Sequence, residues 1–105
     1  MKLLAWLLAA AVWLGMAATA QASPVLAKDK KCFVCHKVDR PGLGPSFHDV
    51  ARRYRGQAGA QEALANKVLK GGGGAWKGPM PSMPANTQVS PAEARQLLRW
   101  ILSLK

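Results

Sequence analysis

Apolar residues recur along this chain with a helical period, and strand-like alternation never runs beyond a few residues. The last stretch is the clearest. Ala94, Leu97, Leu98, Ile101 and Leu102 fall at i, i+3, i+4, i+7 and i+8, the stripe of a helix packed on one side, and Arg95 and Arg99 lie off that stripe. Ser90-Pro91-Ala92-Glu93 opens this helix with a capping box and a proline at the first helical position. Upstream, a helix is predicted over residues 60 to 70, with Leu64, Val68 and Leu69 on its buried face. Lys67 and Lys70 favour its negative end, and Gly71 to Gly74 stop it. Phe47, Val50 and Tyr54 mark a shorter helix from 47 to about 55, capped by Ser46 and broken by the glycines of residues 56–59. Pro24 suits a helix start, and a first helix is predicted from 25 to about 36. The intervening 37–45 stretch holds Pro41, Gly42, Gly44 and Pro45 and is a loop. Residues 71–89, with Pro79, Pro81 and Pro84, form a longer one, and loops of that length inside compact domains usually carry function. No internal repeat stands out. The expected fold class is all-α, with the first and last helices crossing.

The N-terminus follows a different pattern. Lys2 is followed by an uncharged apolar run from Leu3 to Ala18, then by Ala20-Gln21-Ala22. This is the layout of a secretory signal peptide cleaved before Ser23, and the run is short for a membrane span. Two regions are therefore expected: a cleaved signal at 1–22 and one domain at 23–105, with no stable membrane insertion after cleavage. A domain of about 80 residues has marginal core volume and usually needs a staple.

Composition narrows the partners. The 105-residue chain has a formal net charge of +10, and Lys2 is the only charge in the first 22 residues, so the exported part stays strongly basic. Acidic redox proteins fit that charge through electrostatic steering. Nucleic acid does not suit an exported chain without a binding motif.

Both cysteines of the chain stand in Cys32-Phe33-Val34-Cys35-His36. C-x-x-C-H is the attachment signature of a c-type haem: two thiols join the porphyrin and the adjacent imidazole binds iron. A redox dithiol normally sits in a strand–helix–strand domain, which this pattern lacks. Zinc would need His36 and His48 at finger spacing, and they do not have it. His48 is expected to face solvent. A bound haem would also supply the missing staple. The ring nitrogen of His36 not on iron needs an acceptor, and the Gly44-Pro45 turn makes the Pro45 carbonyl the candidate. For the sixth position the mature chain offers Met80 and Met83, both in the proline-rich loop and three residues apart. Spacing alone does not choose between them. If neither binds, the open site would belong to a gas sensor or a weak peroxidase.

Taken in order, Cys32 to His36, Leu43-Gly44-Pro45, Gly56-Gln57-Ala58-Gly59-Ala60, Gly74-Ala75-Trp76 and Met83-Pro84-Ala85-Asn86 resemble the small bacterial class I cytochromes c. The likeness is closest to the periplasmic five-fifty-one type and covers nearly all of residues 23–105. It implies a compact fold of about four helices around one haem c, held covalently through Cys32 and Cys35. It implies His36 and Met83 as axial metal ligands, because Met83 stands before a proline and an asparagine as the family's ligand does. It further implies that Pro45 supports His36, that Trp76 contacts a haem propionate, and that Lys67 lies near one. Lys77 and Ser82 are extra residues relative to the family, and Lys31 stands where the family often has glycine, a change expected to matter little to ligation. The implied protein is not an enzyme. It is a monomeric, periplasmic one-electron carrier whose partners are proteins such as a reductase, an oxidase or a nitrite reductase.

Overall fold

The computed structural model describes residues 23–105. Helix α1 spans Ser23–Asp29, α2 Phe47–Tyr54, α3 Ala60–Lys70 and α4 Pro91–Ser103, and a 3₁₀ turn at Cys32–Val34 follows α1. Among the described residues there is no strand, only an isolated antiparallel bridge between Gly72 and Met83. The expected signal peptide at 1–22 lies outside the described residues.

Helix α4 organises the fold. Its stripe buries Ala94, Leu97, Leu98 and Ile101, while Leu102 at the edge is half-buried. It packs against α1, α2 and α3. Leu26 and Ala27 of α1, Phe47 and Val50 of α2, Ala65 of α3 and Val89 complete the core. Each fully buried leucine contributes about 1.5–3 kcal/mol relative to exposure. The capping box forms as the sequence requires: Ser90 Oγ accepts from the Glu93 amide at 3.1 Å, and Glu93 Oε1 accepts from the Ser90 amide at 3.0 Å. Lys30 then joins α1 to this cap. Its ammonium lies 3.2 Å from Glu93 Oε2 and donates to the Gln88 carbonyl at 3.1 Å, while Gln88 Nε2 donates back to the Lys30 carbonyl at 3.0 Å. The Ser90 amide, and after it Lys30, hold the Glu93 carboxyl below the usual carboxylate range.

The first helix is shorter than predicted. It ends at Asp29, not near His36. Lys31 adopts φ 68° and ψ 19°, the left-handed region, and the chain re-enters a single 3₁₀ turn carrying the motif. Lysine is a good helix former, so composition hides this break. The left-handed conformation costs a side-chain-bearing residue about 1–2 kcal/mol. Glycine would remove that cost and add only about 0.4–1 kcal/mol of unfolded-chain freedom. Lys31→Gly is therefore expected to stabilise the domain by about 0.5–1 kcal/mol. Chemical denaturation of the haem-loaded protein checks this, and an unchanged or lower midpoint would refute it.

Helix α3 packs against the core with the face expected of it, Leu64, Val68 and Leu69. Ala60 and Ala65 are buried, whereas Leu64, Val68 and Leu69 are half-buried. Leu64 and Val68 turn toward an open cavity, which accounts for their exposure.

Candidate functional site

That cavity has a volume of about 480 Å³, within the range of small-molecule and cofactor sites. Leu64, Val68, Leu97, Leu98 and Ile101 give it an apolar surface from α3 and α4. Cys32, Cys35 and His36 enter it from the 3₁₀ turn, Gly44 and Pro45 from the following loop, and Trp76, Met80 and Met83 from the proline-rich segment. Lys67 also lines it. The structure thus brings every site residue expected from the sequence to one place. His48 lies elsewhere. It is half-buried, and its amide donates to the Val38 carbonyl at 3.0 Å where the loop folds onto α2.

His36 is held on two sides. Its Nδ1 lies 2.7 Å from the Pro45 carbonyl oxygen. A carbonyl can only accept, so Nδ1 carries the proton and Nε2 keeps its lone pair for a metal. The imidazole also stacks on Phe47, with centroids 5.0 Å apart and planes at 21°. Phe47 in turn meets Trp100 edge-on at 5.6 Å. Gly44 makes this closeness possible: a Cβ there would sit 2.5 Å from His36 Cε1. The Gly44 amide donates to the Cys35 carbonyl at 2.9 Å, which folds the loop back over the motif. Phe47 is the functional residue the sequence reading missed. Its place two residues after Pro45 was the available signal.

Cys32 and Cys35 are half-buried and are not joined to each other by a disulfide. Burial pushes the Cys32 thiol upward, which disfavours the thiolate a redox dithiol needs. Among the described residues no three His, Cys, Asp or Glu side chains gather as a metal set, so the zinc reading has no site there.

Met83 is anchored more firmly than Met80. The Gly72 and Met83 amides each donate to the other's carbonyl at 2.9 Å. Gly71 lets the chains approach: its φ is +77°, and a Cβ would lie 2.6 Å from the Met83 carbonyl oxygen. Asn86 fixes the far side. Its amide and its Nδ2 donate to the Val68 carbonyl at 3.0 and 2.9 Å, satisfying one of the open carbonyls at the end of α3. Met80 precedes the bridge and shares none of these bonds. Trp76 is half-buried, and Tyr54 meets it edge-on at 6.5 Å.

Paired thiols, a tautomer-fixed imidazole and a methionine-bearing segment around an apolar cavity fit a covalently held haem. Comparison with known proteins agrees. Residues 20–105 match the family model for cytochrome c. The chain is 44% identical over 99 residues to cytochrome c-551 of Pseudomonas aeruginosa, covering 94% of this chain and 92% of that one. It is 45% identical over 91 residues to cytochrome c-552 of Hydrogenobacter thermophilus, covering 87% and 90%. The crystal structure of Nitrosomonas europaea cytochrome c552 superposes with a TM-score of 0.73 at 39% identity, covering 78% of this chain and 99% of that one. This chain belongs to the cytochrome c family, an electron carrier with a single haem c bound covalently through Cys32 and Cys35.

Proposed function

We propose that the protein works in the periplasm as a carrier between respiratory proteins, with iron held between His36 and Met83. One observation supports this most: the Pro45-bonded imidazole and the bridge-anchored Met83 line the same cavity. The haem iron supplies the one-electron chemistry, and a histidine–methionine pair sets it at raised potential. The chain's own residues do the rest. Pro45 and Phe47 keep the imidazole in one tautomer and one orientation. The apolar groups of α3 and α4 keep water from the cavity. Trp76 and Lys67 stand as donors for propionate oxygens. No substrate bond is made or broken.

The partner surface is read from charge and exposure. Val34 and Leu43 line the cavity and are 70% and 60% exposed. Lys37, Arg40, Arg52, Arg53, Arg55 and Lys77 are exposed cations. A donor or acceptor with an acidic face is expected to be steered to this apolar rim.

Three measurements test the proposal together. Cell fractionation is expected to find the red protein in the periplasm with Ser23 at its N-terminus. The ferric spectrum is expected to show the methionine–iron charge-transfer band. A high-spin spectrum with ready carbon monoxide binding after reduction would instead select the open-site sensor or peroxidase. Electron-transfer rates with acidic partners are expected to fall about tenfold or more as the Debye length shrinks from about 30 Å to a few ångströms. A flat profile would rule out steering.

A further inference from the structure

Arg53 is exposed on α2, yet its guanidinium carbon lies 4.7 Å from the Trp76 ring centroid and 5.5 Å from that of Tyr54. The two rings meet edge-on with planes at 72°, and both line the cavity. These three side chains close a seam between α2 and the proline-rich segment. The segment needs such a seam. Between the bridge residues Gly72 and Met83 the chain makes no backbone hydrogen bond to a helix. Gly74 and Gly78 take positive φ with open space around them. Backbone bonding thus holds the segment at its base, and nothing of that kind holds its crest.

We propose that Arg53 is a positioning residue, whose planar cation on Trp76 and Tyr54 clips the crest of residues 73–82 against α2 and sets how often this wall of the haem cavity opens. The proposal depends on Trp76 belonging to the cavity wall, and is independent of which methionine binds iron. An exposed cation–π contact is modest, so its loss makes opening about two- to five-fold more frequent without loosening the core. Lysine keeps the charge but loses the flat face that stacks, so it restores the clip only in part.

The test uses the haem-loaded protein and the variants Arg53→Gln and Arg53→Lys. Hydrogen exchange of the Trp76 indole N–H, followed by NMR, reports opening of the crest. The rate at which added imidazole enters the ferric site reports access to the iron. Arg53→Gln is expected to speed both by about two- to five-fold, with Arg53→Lys between it and the parent and the global unfolding midpoint unmoved. Unchanged indole exchange in Arg53→Gln would overturn the proposal. So would an equal acceleration at every amide, which would mean general destabilisation. Faster indole exchange with no change in imidazole entry would overturn it as well, since the crest would then move without opening the cavity.

Discussion

Replacing Met83 by leucine is expected to abolish the methionine–iron band and lower the reduction potential by tenths of a volt, on the order of the shifts that axial ligands command within their roughly 0.8 V range. Met80→Leu is expected to leave the band in place. The difference follows from anchorage. Met83 sits on a two-bond bridge to Gly72, and Asn86 fastens the next turn of chain to the Val68 carbonyl. A ligand delivered on so constrained a backbone loses little freedom on binding. Met80 stands before the bridge, on the part of the segment without backbone anchors. Spectra of the two purified variants decide the matter. Loss of the band in Met80→Leu alone would transfer the role to Met80, and its survival in both would refute the assignment.

Phe47→Ala is expected to cost about 3–5 kcal/mol, the usual range for deleting a buried phenylalanine ring. Phe47 is 4% exposed and touches three rings: His36 face to face, Phe33 at 5.9 Å and Trp100 at 5.6 Å. Native domains have only about 5–15 kcal/mol in total. The melting temperature should therefore fall by roughly 10–40 °C, at about 4–8 °C per kcal/mol for a domain this small. Phe47→Leu fills most of the space and is expected to cost less than about 1.5 kcal/mol. Thermal unfolding of the haem-loaded proteins checks both. A loss below about 1 kcal/mol in the alanine variant would mean that the ring does not support the core or the imidazole.

The elements that were legible in the sequence are those set by local chemistry. Ser90, Pro91 and Glu93 announce the start of α4, and the glycines at 71–74 announce the end of α3, because caps and stops act over a few residues. The C-x-x-C-H motif and the turn at Gly44-Pro45 are local too, and the Pro45 carbonyl stands at Nδ1 of His36 as the turn required. The end of α1 was hidden, since nothing about Lys31 marks a left-handed residue. What covers the apolar face of α3 was hidden for another reason. Periodicity marks an apolar face without saying whether protein or a cofactor covers it, and Leu64 and Val68 turn to the cavity. The stacking of Phe47 on His36 and the pairing of Gly72 with Met83 depend on chain segments meeting in space. Spacing between Met80 and Met83 carries no trace of that pairing.

The two walls of the cavity differ in how far along the chain their supports reach. His36 is steadied by Pro45, nine residues away, through a loop that folds onto its own neighbours. Met83 depends on Asn86 grasping α3 across a sequence separation of 18. Short-range closures cost little chain entropy and form readily, while distant ones need the helices already assembled. By that measure one doubling of span, from nine residues to 18, leaves the methionine flank about 0.6 kcal/mol easier to loosen than the histidine flank.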